Sequence, residues 1–385
     1  MKSTGLKQQF FKLGFAGCIW ALANVVALKL ARANQAEPQG LGPEIVLTKG
    51  GSKAQQAEAK KENAVQALRW LSQTGRSGKI DLQLQSPVRP YADYEEAGYL
   101  FISDEFRFGS RPIKEALVRN TPPDVTVVVF ADDDSIQTKN RILRTLGLLR
   151  DPATLKVIAL PDALRGFWAR DGLPVPVMRV DSGVLGVVDA RYYHNFEPDR
   201  EVATGFSAGM TSHRFYFEGG NFMANRQGLC IIVNNDRHDQ IPDSIFQTQY
   251  GCNQLIRLRH LLGIGHVDER VRFLDDDTVV TDLPNDYRRQ LEAAGLTVIA
   301  VPRPSHSMYT YVNSLIVNGI VFIPIFGEST DAAALKAYED FGYTAKGVRS
   351  NELSADGQGS IHCITMTYPK QPFEMLIKAI GAIPL

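Results

Sequence analysis

From Tyr99 onward the chain alternates short apolar runs with longer amphipathic ones, and that alternation limits it to an α/β fold. The runs "YLFIS", "VTVVVFA", "LKVIALP", "GVLGVVDA", "GLCIIVN", "TVVTD", "LTVIAVP", "SLIVNGIVFIPIF" and "IHCITMTY" read as strands. Helices are expected over "SIQTKNRILRTLGLL", with Ser135 as N-cap, and over "PDSIFQTQYGCNQLIRLRHLLG", "NDYRRQLEAAG" and "DAAALKAYEDFG". Element groups recur roughly every 55 to 65 residues, without an exact repeat, as strand–helix units do. The 385 residues, 44% of them hydrophobic, are enough for a large core. Forty-two basic residues balance 42 acidic ones, so no charge excess favours nucleic acid. The glycine-rich stretches match neither the dinucleotide nor the P-loop pattern.

The N-terminus has another character. Lys2, Lys7 and Lys12 precede an apolar run from Leu13 to Leu28, and Ala31-Arg32-Ala33 offers a small-x-small cleavage site. This predicts a signal peptide over 1–33 and export to the periplasm or outside. The run is short for a spanning helix, which needs about 20 residues, so membrane attachment is expected only if the segment stays uncleaved. Cleavage would remove Cys18 and leave Cys230, Cys252 and Cys363. In an oxidising compartment Cys230 and Cys252 are the natural pair by elimination, although spacing does not prove it, and Cys363 is left over. Residues 34–87 read as a leader. It has one amphipathic helix over 53–73, with Ala57, Ala64, Val65, Leu68 and Leu71 on its apolar side, and its position makes it a candidate pro-segment. Residues 88–385 form the main domain.

Four stretches carry polar residues that folding does not require: "FWARDGLPVP", "FEGGN", "GIGHVDERVRF" and "GSIHCITMTYP". In an extended "HVD", His266 and Asp268 share a face. Asp171 follows Arg170 in a Gly/Pro-rich turn, and Glu218 precedes two glycines that allow close backbone approach. Each alone reads equally well as a turn or surface residue, and Cys363 as a core thiol. Together, one thiol, one imidazole and three carboxylates suit a bound guanidinium, whose planar donors pair with carboxylates. A cation held there also favours the thiolate. Asp275-Asp276-Asp277 reads as turn chemistry in place of a calcium site. Arg191, Arg200 and Arg214 read as surface residues, with one a candidate for holding a substrate carboxylate. A thiol protease and a metal site are weaker readings, because neither explains the paired carboxylates.

"WARD", "FEGGN", "GHVDERVRF", "YVNSLIVNG" and "GSIHCITMTYP" resemble the agmatine deiminase and Porphyromonas-type peptidylarginine deiminase family of the guanidine-modifying superfamily, over roughly residues 88–384. The resemblance implies a pentein fold: five ββαβ units about a pseudo-fivefold axis. It also implies hydrolytic deimination of a guanidino small molecule or an arginine-containing peptide or protein, without cofactor or metal. Cys363 would be the nucleophile and His266 the acid–base. Asp171 and Asp268 would hold the guanidinium, with Trp168 and Arg170 beside the substrate. Glu218 would support His266, and Asn313 would support the thiol. One departure is visible: the family's "RDxGP" reads Arg170-Asp171-Gly172-Leu173-Pro174, with the glycine moved by one place. Two other readings on this fold are a non-catalytic binding protein and an amidinotransferase.

Overall fold

The computed structural model describes residues 48–74, 87–133 and 135–371; the expected signal peptide lies outside them. The described residues form five small sheets with one recurring plan, the ββαβ unit of a pentein. In each, a first strand runs antiparallel to a second, a helical segment follows, and a third strand pairs parallel to the second. The first unit uses Val175–Arg179, Leu185–Arg191 and Gly209–Tyr216, with Val88–Pro90 added at its edge. The second uses Met223–Ala224, Leu229–Asn234 and Gln254–Arg259. The third uses Val271–Phe273, Thr278–Thr281 and Thr297–Ala300, and the fourth Leu315–Val317, Ile320–Ile325 and Thr344–Arg349. The fifth closes the ring across the chain: Thr365–Tyr368 pairs antiparallel with Tyr99–Ser103, followed in parallel by Thr126–Ala131 and Leu155–Ala159.

First strands start at residues 175, 223, 271, 315 and 365, a spacing of 44 to 50 residues and shorter than the recurrence expected from sequence. Two element assignments change as well. "SLIVNGIVFIPIF" is a hairpin, because Asn318 and Gly319 both take positive φ and turn the chain. The long helix expected over "PDSIFQTQYGCNQLIRLRHLLG" stops after Tyr250, where Gly251 adopts φ +79°. Gln254–Arg259 is then a strand, with Ile256 and Leu258 turned inward at period two. Cys230 and Cys252 form a disulfide that ties this turn to the second strand of its unit.

The leader helix spans Lys53–Thr74. It does not bury the face expected from its apolar pattern: Leu68 is 70% exposed, while Ala59 and Asn63 are buried. Asn63 explains the choice. Its Nδ2 donates to the carbonyls of Tyr216 (2.9 Å) and Arg237 (2.7 Å), and its Oδ1 accepts from Tyr216 N (2.7 Å). The helix is thus fixed to the sheet edge by backbone hydrogen bonds, with Trp70 Nε1 donating to Ser244 Oγ at 3.1 Å.

Candidate active site

The segment leading into each first strand supplies the site. The short turn Ala169–Gly172 brings Asp171 ahead of Val175, and the turn Gly219–Asn221 follows Glu218 ahead of Met223. His266 enters the turn Val267–Glu269 ahead of Val271. Asn313 precedes Leu315, and His362-Cys363 precede Thr365. The extended "HVD" expected from sequence is not formed: His266 leads into a tight turn that holds Asp268 and presents both side chains to one place. Five repeats converge polar groups from five distant stretches of chain.

Cys363, His266 and Asp268 are fully buried, and Asp171 and Glu218 nearly so. Cys363 Sγ donates to Asn313 Oδ1 at 3.2 Å and to Asp268 Oδ2 at 3.5 Å. Asn313 also donates from Nδ2 to the Asp268 carbonyl (3.2 Å) and accepts from His362 N (3.1 Å), so one amide links three site segments. His266 Nδ1 lies 3.6 Å from Asp171 Oδ1 and its Nε2 3.7 Å from Glu218 Oε2. Glu218 pairs with Arg237 Nε at 3.2 Å and with His238 Nε2. Gly220 is required here by space. A Cβ on it would lie 2.6 Å from Asp171 Oδ1, 2.8 Å from Lys49 Nζ and 2.9 Å from His266 Nδ1.

Lys49, from the leader, fills the centre. Its Nζ lies 2.6 Å from Cys363 Sγ, 3.2 Å from both Asp268 oxygens and 3.9 Å from Asp171 Oδ1, with no exposed surface. Its stem passes Gly359, where a Cβ would lie 3.0 Å from Lys49 Cδ and 2.6 Å from Trp168 Cζ3. That close approach accounts for Gly359 of "SADGQG", while a Cβ on Gly357 would be confined by the Leu353 carbonyl (2.5 Å) and Trp168 (3.0 Å). Its main chain is held too. Lys49 N donates to the Gly357 carbonyl (2.9 Å), Tyr193 OH donates to the Lys49 carbonyl, and the Thr48 carbonyl faces His194 Nε2 at 3.2 Å.

Burial and charge set the protonation states. Burial pushes Asp171 up to about 8 against the pull of Lys49, with Asp268 and Glu218 adding to the rise. Burial also raises Glu269, to about 7. Asp268 is driven the other way: burial would raise it, but Lys49 and His362 hold it well below the ordinary carboxylate value. For Glu218, Arg237 and His238 likewise overcome burial. Burial and Lys49 lower His266 to about 3, so it is neutral. Burial and the Asp268 charge raise the Cys363 thiol, against Lys49.

A second polar cluster lies behind the first. His362 bridges Asp268 (Nδ1–Oδ2 2.8 Å) and Asp93 (Nε2–Oδ2 2.9 Å), and Asp93 pairs with Arg170 (3.1 Å) and Arg272 (2.7 Å). The Arg170 side chain is therefore turned to Asp93 and to the Thr365 carbonyl (3.2 Å), away from Lys49. Trp168 packs behind Gly357 and Gly359 against Phe108 and Phe167. Arg191 stacks on Tyr216, and Arg200 and Arg214 are exposed; none of the three faces the pocket. Asp276 binds Arg226 and Tyr94, while Asp275 Oδ1 accepts from Asp277 N, as turn chemistry requires. Sequence alone does not point to Lys49, Asp93, Arg237, His238 or the bridging role of His362. A lysine in "TKGG" stands out only as a cation beside a tight turn.

Comparison with known proteins places this geometry. A sequence profile of the Porphyromonas-type peptidyl-arginine deiminase family matches residues 112–369. The agmatine deiminase of Stutzerimonas stutzeri (strain A1501) is 24% identical, across 52% of this chain and 74% of the relative. Among solved structures, a substrate-bound C. jejuni agmatine deiminase superposes with a TM-score of 0.61 at 17% identity, covering 74% of this chain and 97% of that one. The agmatine deiminase of Enterococcus faecalis superposes with 0.57 at 18% identity, covering 77% and 99%.

Proposed function

Because the chain belongs to the Porphyromonas-type peptidyl-arginine deiminase family, we propose that it hydrolyses the guanidino group of a polypeptide-borne arginine, through Cys363, to a ureido group and ammonia. The observation that carries the reading is the cation already seated against Cys363, between Asp268 and Asp171. That cation belongs to a residue whose main chain is held by Gly357 and Tyr193, which favours a peptide over free agmatine. Around it, Asp171 Oδ2 and His266 Nδ1 find no hydrogen-bond partner among the described residues. A planar guanidinium with five N–H donors supplies what an ammonium does not.

The reaction follows from these positions. Asp268 and Asp171 fix the guanidinium, whose charge favours the Cys363 thiolate. Cys363 gives its proton to His266, and Sγ bonds to the guanidinium carbon. His266 returns that proton to one nitrogen, the C–N bond breaks, ammonia leaves, and a thiouronium remains on Cys363. His266 then takes a proton from water and the oxygen adds to the carbon; the C–S bond breaks with its electron pair on Sγ, the hydroxyl proton passes to that thiolate as the ureido carbonyl forms, and His266 gives its proton up to solvent, where ammonia takes it as ammonium. Glu218, beside Nε2, stabilises the transient imidazolium; Asn313 orients the thiol.

The test is ureido formation at high substrate by the wild type and by Lys49→Ala, whose pocket has lost its own cation. Agmatine, free arginine, an internal-arginine peptide and a C-terminal-arginine peptide are compared, with Cys363→Ala as control. The expected result is turnover of the internal-arginine peptide, absent from Cys363→Ala. No product from any of the four with either protein would overturn the reading.

A further inference from the structure

Lys49 is not needed by the chemistry just described; it stands where the substrate should be. A lysine Nζ is as many bonds from its Cα as an arginine Cζ. Lys49 Nζ therefore marks where the carbon under attack would sit, 2.6 Å from Cys363 Sγ. Its charge pairs with Asp268 and lies 3.9 Å from Asp171 Oδ1, but an ammonium offers no electrophilic carbon, so the thiol has nothing to attack. The surroundings of the residue are built to match. Thr48–Gly51 is a turn closed by Gly51 N donating to the Thr48 carbonyl (2.9 Å). Gly50 is closely approached by side chains: a Cβ there would lie 2.9 Å from Gln358 Oε1 and 3.1 Å from Ile264 Cγ2. Gly51, at φ +65°, lies under the Tyr193 ring, where a Cβ would come within 2.6 Å of Cε2. Gln55 Nε2 donates to the Tyr193 carbonyl at 3.1 Å, and Gln56 Nε2 to the Gly50 carbonyl at 2.6 Å. The helix Lys53–Thr74 starts two residues after the turn and is anchored through Asn63.

We propose that Thr48–Gly51 is a built-in pseudosubstrate: Lys49 occupies the guanidinium position and keeps Cys363 latent until the segment is displaced or removed. This rests on the deiminase reading for the identity of the missing substrate, but the occlusion itself does not. A tethered occupant competes at an effective concentration on the order of millimolar, so external substrate or reagent meets a mostly closed site.

Two measurements test it. The first is alkylation of Cys363 by iodoacetamide near neutral pH in the full chain, its fold verified by thermal denaturation. Lys49→Ala and the longer Lys49→Met should each react about tenfold or more faster than the wild type, since reactivity scales with the open fraction. Rates equal to or below that of the wild type in both folded variants would overturn the proposal; slower reaction would mean that the ammonium activates the thiol. The second is Lys49→Arg, which replaces the unreactive cation by a reactive one. The new arginine should convert to citrulline, with NH replaced by O in the mass of its peptide, and Lys49→Arg combined with Cys363→Ala should not convert. An unconverted arginine at this position, in protein that still turns over added arginyl peptide, would overturn the placement. Faster alkylation of Lys49→Ala with no conversion and no turnover would sustain the occlusion and sink the deiminase reading.

Discussion

The two polar clusters at the centre of the fold differ in how their charges are balanced. Behind Cys363, Asp93 is neutralised by Arg170 and Arg272, and His362 links it to Asp268; every partner comes from the pentein body. In front, the cation beside Asp171 and Asp268 is Lys49, a residue of the leader, although Asp268 is also bonded to His362. The rear cluster is therefore held by residues of the body itself, with His362 as its link to Asp268. The front cluster is a binding site, because its balance is left to a cation that is not fixed in the body. A buried charge stripped of partners is costly, so a pocket of this kind is never indifferent to what fills it.

The largest effect should come from breaking the rear cluster. Asp93→Asn leaves two buried guanidiniums without their carboxylate and should cost about 3–5 kcal/mol in chemical denaturation. A loss no larger than that of Lys49→Met would erase the distinction between the clusters. Next is Gly220→Ala, whose methyl would crowd Asp171, His266 and the bound cation together. A displacement of that size should lower turnover about a hundredfold, with little change in stability. The pH dependence is smaller. Asp171 is held up at about 8, so its carboxylate, the form that binds a cation, gains population as pH rises through that value. The KM for an arginyl substrate should fall by up to about tenfold per pH unit below 8 and level off above it; Asp171→Asn should abolish the trend. The same shift works against stability. A carboxyl whose folded value is raised stabilises fully below its unfolded value and loses that contribution as pH rises towards 8, and Glu269 adds to the loss near 7. Smallest is Leu68→Gln on the exposed side of the leader helix, which should stay within about 0.5 kcal/mol.

The contrast also explains what is legible in the sequence. The pentein units show as strand–helix alternation because inward residues such as Ile256 and Leu258 follow the period of their element, although "IRLR" reads as helix until Gly251 is given its weight as a terminator. Asp171, Glu218, His266, Asp268 and Cys363 can be named because each lies in a short motif beside a glycine or a strand start, whereas Asn313 is named only through the family resemblance of "YVNSLIVNG". Asp93, Arg237 and His238 carry no such motif: Asp93 meets Arg170 and Arg272 far along the chain, and Arg237 and His238 meet Glu218 only once the second unit has folded. Lys49 is hidden for another reason. The helix pattern of the leader draws attention to Leu68 and Leu71, whereas the contact that matters is a single cation in the turn before it, and Asn63 sets the docking through backbone hydrogen bonds that no periodicity reports.

The central step is a bond between Cys363 and the substrate carbon. Acid quenching of Lys49→Ala during turnover of an arginyl peptide, followed by mass mapping of the segment around Cys363, tests this directly. The prediction is an adduct equal to the substrate less ammonia on Cys363, absent from the Cys363→Ala version of the same protein. Steady release of ureido product with Cys363 unmodified at every quench time, or in the absence of its thiol, would contradict it.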